Sequence, residues 1–103
     1  MQKPETKFLE KVKKELKNLP NTWFVKTQMV AVRGIPDLLI CCRGIFYALE
    51  LKKDEASKAT PLQLHTLEQI ELAGGISGVV SPENWPLWYI RLKRMAEKGR
   101  HYD

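Results

Sequence analysis

The chain has 103 residues, 44% of them hydrophobic and 28% charged, and its 17 Lys and Arg against 12 Asp and Glu give a formal charge of +5. A chain of this length supplies one hydrophobic core and little surplus for a second, so residues 1–103 are read as a single domain. No apolar run approaches the roughly 20 residues needed to cross a bilayer. The amphipathic start Met1-Gln2-Lys3-Pro4-Glu5-Thr6-Lys7 also lacks the apolar centre of a secretion signal, so the expectation is a soluble, cytoplasmic protein with no membrane partner.

From about Glu5 to Leu19 the apolar residues Phe8, Leu9, Val12, Leu16 and Leu19 recur at helical spacing, and Pro20-Asn21 closes the segment. Thr22 to Ala31 is rich in aromatic and β-branched residues and reads as a strand with Trp23, Val25 and Thr27 on one side. After the break Arg33-Gly34-Ile35-Pro36, the almost wholly apolar Asp37 to Cys42 predicts a strand covered on both faces. Arg43-Gly44 is a short turn into a third strand, Ile45 to Lys53, and the two strands form a hairpin. Thr60-Pro61 places an N-cap and a first-turn proline at the start of a second helix that runs to about Ala73 and stops at Gly74-Gly75. Ile76 to Val80 is a fourth strand in which Gly78 allows close packing. Ser81-Pro82-Glu83 repeats the cap-then-proline signal before a last helix, Trp85 to Glu97, and Gly99 to Asp103 reads as a tail. The expected order is αβββαβα. Cys41 and Cys42, adjacent on one strand, point to opposite faces, which suits neither a disulfide nor a metal clamp; both are expected to be buried thiols.

The cationic excess gathers at the two ends, with Lys3, Lys7, Lys11, Lys13, Lys14 and Lys17 in one group and Arg91, Lys93, Arg94, Lys98 and Arg100 in the other. A polyanion such as nucleic acid is a suitable partner, although solvated helix faces look the same in sequence. The third strand carries Glu50-Leu51-Lys52, and residues two apart share a face, so a carboxylate and an ammonium project side by side next to Ala48. A two-residue hairpin turn brings Asp37 to the level of Glu50 and Lys52. Two carboxylates converging from adjacent strands make an oxygen-rich site for Mg²⁺ or Mn²⁺, and a neighbouring ammonium can hold a water or offset charge building on phosphorus.

The run Gly34-Ile35-Pro36-Asp37-Leu38-Leu39-Ile40, a strand ending Glu50-Leu51-Lys52, and Thr60-Pro61-Leu62-Gln63 opening a helix together resemble the PD-(D/E)XK nuclease superfamily, and within it the virus-type replication-repair nuclease (VRR-NUC) domain. The resemblance covers about residues 5–81, with a C-terminal helix at about 82–98. It implies an α/β, restriction-endonuclease-like αβββαβ core whose mixed central sheet is flanked by helices. It also implies phosphodiester hydrolysis aided by one or two divalent ions, with Asp37, Glu50 and the Leu51 carbonyl as metal ligands and Lys52 acting on the attacking water. An acid in the first helix is expected as well. Glu5 fits best, preceding apolar residues by three, four and seven positions, with Glu10 and Glu15 as competitors.

The family's glutamine falls at Gln63, where it would help orient the water and the lysine; the same residue also completes a capping box with Thr60. Lys26, Arg33 and Lys53 flank the site as candidate DNA phosphate contacts, or as ordinary surface cations. His65 and His101 are isolated, and Trp85, Trp88 and Tyr89, at helical spacing, suit a core or a subunit contact better than base stacking. Stand-alone domains of phage type suggest a structure-selective endonuclease acting as a homodimer on four-way (Holliday) junctions in the cytoplasm of a bacterial or phage-infected cell. A two-fold dimer would match the symmetry of such a junction. Alternatives are a flap, nicking or restriction-like nuclease and a non-cleaving DNA-binding module.

Overall fold

The computed structural model describes residues 3–28 and 32–98. Its elements are α1 (Pro4–Lys17), β1 (Thr22–Lys26), β2 (Leu38–Cys42), β3 (Ile45–Leu51), α2 (Pro61–Leu72), β4 (Ile76–Val80) and α3 (Trp85–Ala96), in the expected αβββαβα order. The strands form one mixed sheet in the order β1-β2-β3-β4. β1 and β2 are antiparallel, as are β2 and β3, whereas β4 runs parallel to β3 because α2 carries the chain back across the sheet.

One face of the sheet holds the main core. Phe8, Val12 and Leu16 of α1 and Trp85, Leu92 and Ala96 of α3 pack there with Leu38, Ile40, Cys42, Tyr47 and Leu49. The two helices are tied to each other where Trp85 Nε1 donates to Glu15 Oε1 at 2.9 Å. On the other face α2 lies over β3 and β4, buries Leu67, and accepts a 2.9 Å hydrogen bond from Ser77 Oγ at the Leu67 carbonyl. Trp85 is 1% exposed and Trp88 and Tyr89 are partly buried against the core, so the aromatic residues of α3 are structural as expected.

Several expected boundaries move. β1 ends at Lys26, and residues 29–31, the last of the predicted strand, lie outside the described residues, as do Gly99 to Asp103 with His101. β3 ends at Leu51 instead of Lys53; Lys52 N–H then bonds the Val80 carbonyl at 2.7 Å as the chain turns away. Ser81 does not cap α3. The N-cap is Asn84, whose Oδ1 accepts from Ser81 N–H at 2.9 Å while its Nδ2 donates to the Val79 carbonyl at 3.1 Å, so the Ser-Pro-Glu signal belongs to a turn preceding the helix. Cys41 is exposed, against expectation, and only Cys42 is buried. The reason is the limited reach of α2, which covers β3 and β4 and leaves the outer face of β1 and β2 open. No helix among the described residues is long and apolar enough to cross a membrane.

Gly78 sits directly beneath the Trp88 indole, so any side chain on it would collide with the ring and separate α3 from the sheet. Gly78→Ala is expected to lower stability by about 1–3 kcal/mol. Urea unfolding monitored by tryptophan fluorescence checks this, and an unchanged midpoint would contradict the packing.

Candidate active site

Arg43 and Gly44 both have positive φ, +48° and +86°, the backbone of a primed two-residue turn, and Cys42 pairs with Ile45 across it. Once that turn is set, the register follows residue by residue to Leu38 opposite Leu49. The next pair is Asp37 with Glu50. Asp37 lies just beyond the strand, and its Oδ2 accepts the Leu51 N–H at 2.8 Å, which joins the Gly-Ile-Pro-Asp bend to the Glu-Leu-Lys segment.

The bend itself is wedged in place. Gly34 has φ +81°, and a Cβ there would stand 2.8 Å from Leu62 Cγ and 3.1 Å from Thr66 Oγ1, so α2 rests directly on the glycine backbone. Pro36 is buried. From the other side Thr27 donates its hydroxyl to the Pro36 carbonyl at 2.7 Å and its N–H to the Asp37 carbonyl at 2.9 Å. Sequence reasoning put Thr27 on a strand face and missed this strap; a threonine opposite a Gly-x-Pro bend was the available signal.

Glu50 is only 4% exposed. Its Oε2 accepts from Gln63 Nε2 at 3.0 Å and lies 3.6 Å from the Lys52 ammonium. Its Oε1 is buried without any hydrogen-bond partner. Burial first, and the neighbouring Asp37 carboxylate second, push the Glu50 pKa up to about 7 against the pull of Lys52. The capping-box reading of Gln63 holds: its Oε1 accepts Thr60 N–H at 2.8 Å and its N–H donates to Thr60 Oγ1 at 3.1 Å, while the amide nitrogen is left to donate to Glu50. The cap fixes which end of the amide faces the carboxylate.

A cavity of about 300 Å³ opens beside this pair, lined by Glu5, Thr6, Leu9, Lys26, Asp37, Glu50 and Leu51. Glu5 thus reaches the cavity from the first turn of α1. Its competitors are engaged elsewhere, Glu10 with Lys13 at 3.7 Å and Glu15 with Trp85 and Lys11. Thr6 and Leu9 complete the wall; the sequence marked Leu9 as an apolar helix position and neither as a site residue. Lys26 and Arg33 line an adjoining depression that shares Asp37, and the Lys26 ammonium donates to the Thr27 carbonyl at 2.7 Å. Lys53 is exposed just after β3 and lines neither hollow; His65 is exposed on α2.

The donor chemistry fits a hard divalent cation. Among the described residues no three acidic, histidine or cysteine side chains gather closely enough to enclose an ion. Two carboxylates nevertheless suffice for Mg²⁺, which usually takes one or two from the protein, keeps several waters and draws on substrate phosphate oxygens for the rest of its shell. The orphaned Glu50 Oε1 and the raised Glu50 pKa describe a carboxylate whose charge the Lys52 ammonium, paired with the other oxygen, only partly offsets.

A solved structure described as a VRR_NUC domain has this architecture, with a TM-score of 0.75 and 27% sequence identity, over 87% of this chain and 97% of its own. No family model matches the sequence, and no curated protein does.

Because the folded pKa of Glu50 lies above the 4.5 of a free glutamate, the stability it contributes is whole below about pH 4.5 and is lost as pH rises through 7. Glu50→Gln is therefore expected to stabilise the metal-free protein at pH 8 by up to about 3 kcal/mol, with the gain vanishing near pH 4. Thermal melting in EDTA across this range checks it; a destabilised variant at pH 8 would contradict the electrostatic account.

Proposed function

From the premise that this chain has the fold of the VRR-NUC branch of the PD-(D/E)XK nucleases, we propose that it is a divalent-metal-dependent DNA endonuclease, selective for branched structure, that resolves four-way junctions as a homodimer. In this reading residues 5–81 form the nuclease core and α3 is an addition to it. The observation that carries the catalytic part is the Asp37 and Glu50 pair, held at one level of a hairpin, with a buried carboxylate oxygen left without a partner beside a cavity.

Asp37, Glu50 and the Leu51 carbonyl would hold the cation, which supplies Lewis-acid polarisation of the phosphate and a more acidic water. The chain's own groups do the rest. Lys52, kept near Glu50 by charge, holds the attacking water and offsets negative charge as the water oxygen, losing a proton to bulk water, bonds to phosphorus and the ester P–O bond breaks, the leaving oxygen taking a proton from bulk water. Gln63 orients Glu50 through its amide, and Glu5 faces the cavity as a further acceptor for water. Lys26 and Arg33, at the mouth, contact the flanking phosphates, and Lys53 extends the cationic rim.

Support for a dimer comes from the sheet face that α2 leaves open. Trp23, Cys41 and Phe46 are adjacent across β1, β2 and β3, with Val25 beside them, and Trp23 is 64%, Phe46 42% and Val25 38% exposed. A contiguous apolar strip of this kind suits a protein partner, and a second copy gives two active sites on a two-fold axis matched to a junction.

Incubation with labelled four-way junction, flap and linear duplex, with Mg²⁺ or EDTA, tests the reading. Preferential, metal-dependent nicking of the junction is expected. Binding without cleavage would overturn the enzyme assignment, and equal cutting of linear duplex would overturn junction selectivity. Lys52→Ala is expected to slow cleavage by about 100- to 1,000-fold with DNA binding retained, so wild-type rates in that variant would remove Lys52 from the mechanism. Trp23→Asp should convert a dimer to a monomer in light scattering; a wild-type protein that is monomeric at micromolar concentration would contradict the resolvase model.

A further inference from the structure

The sequence of α3 contains no acidic residue, and Arg91, Arg94 and Lys98 follow one another at helical spacing on and just beyond it. With Tyr47, Ile76 and Met95 they line a groove of about 430 Å³. All three cations are exposed, and among the described residues no carboxylate pairs with them; Glu97, the nearest acid in sequence, is taken by Lys93 at 3.8 Å. The Arg91 guanidinium lies 5.7 Å from the centre of the Trp88 ring, a cation–π contact that fixes its orientation while leaving N–H donors free. A second hollow, lined by Asn84, Leu87, Trp88 and Ile90, shares Arg91 and Arg94, so the two arginines form a ridge between the hollows. Burial, the largest influence, raises the pKa of Tyr47 on the groove floor and keeps its hydroxyl protonated.

This groove is not part of the cleft. Tyr47 lies three residues before Glu50 on β3, about 10 Å along the strand, and an odd spacing turns the two side chains to opposite faces of the sheet. The far end of α3 is tied down at the opposite end of the sheet, where Asn21 Nδ2 donates to the Ala96 carbonyl at 3.0 Å. A DNA segment lying in the Asp37 and Glu50 cavity therefore does not reach the groove by running straight on, whereas a second arm of a branched molecule can.

We propose that the groove of Arg91, Arg94 and Lys98 binds the sugar-phosphate backbone of a second DNA segment, one that is held while another is cut. The proposal rests on the nuclease reading and adds to it a means by which a small domain distinguishes branched from linear DNA. The chemistry favours phosphate: two guanidiniums offer forked donors that match phosphate oxygens, and three cations with no carboxylate partner among the described residues concentrate positive potential at one place on a chain of charge +5.

The test is the affinity of the full chain for a synthetic four-way junction and for a short linear duplex, measured in EDTA over a salt series, for wild type and for Arg91→Ala/Arg94→Ala/Lys98→Ala. In the triple variant, affinity for the junction should fall about tenfold or more, and the slope of log affinity against log salt should shrink by about 3, one for each lost phosphate contact. The linear duplex, which engages one surface at a time, should show a smaller change in slope. Arg94→Glu alone, at an exposed position, gives the same direction of change if the triple variant melts early. Unchanged junction affinity and slope would overturn this proposal and leave the nuclease reading intact, whereas a wild-type protein that binds no DNA would overturn that reading first. Loss of self-association in the triple variant, with DNA binding retained, would instead assign the groove to a second copy of the chain.

Discussion

The site depends on the register of one hairpin. With two residues of positive φ at Arg43 and Gly44, the β2 and β3 strands have one way to pair, and that pairing carries Asp37 to the level of Glu50. A slip of one residue would turn Glu50 to the other face and leave Asp37 beside an apolar side chain. The 2.8 Å bond from Leu51 N–H to Asp37 makes the same register the anchor of the Gly-Ile-Pro-Asp bend, so turn, bend and acidic pair stand or fall together.

What the register brings together is electrostatically unfavourable. Glu50 is buried, has a carboxylate for a neighbour, and keeps one oxygen with no hydrogen bond, which lifts its pKa to about 7. The rest of the fold holds this arrangement against its own repulsion. α2 contributes Gln63, fixed by its capping box, and lies against Gly34; Thr27 straps the bend from β1; α1 and α3 supply the apolar layer against which the sheet is rigid. Stability is spread over the packing so that a destabilised pair can persist at one end of the two central strands. Opposite surfaces differ in character, an apolar strip on β1 and β2 and a cationic ridge on α3.

Most of the fold was legible because its signals are local. Phe8, Val12 and Leu16 repeat at helical spacing, Thr60-Pro61 announces a helix start, Arg43-Gly44 a tight turn, and the elements follow in the expected order, with β1 and β3 ending sooner than their patterns. The acidic pair was legible for the same reason, since a two-residue turn converts sequence distance into spatial distance. What could not be read depended on tertiary coverage. Cys41 sits in an apolar run yet is exposed because α2 stops short of β2, and Asn84, not Ser81, occupies the N-cap position of α3, its amide turned back to Ser81 and Val79 without capping the helix. The Thr27 strap and the wall formed by Thr6 and Leu9 required the approach of β1 and α1 to the bend, which no periodicity encodes. Gln63 carried two competing sequence readings; its capping box is present, and the amide nitrogen that the box leaves over reaches Glu50.

The central claim is that Asp37 and Glu50 form one divalent-cation site by virtue of that register. Calorimetric titration of Mn²⁺ into the metal-free protein addresses it without reference to any substrate. The account predicts saturable binding at neutral pH that is lost in both Asp37→Asn and Glu50→Gln while the proteins remain folded. Saturable binding that survives the double substitution, or none in the wild type at millimolar metal, would contradict it.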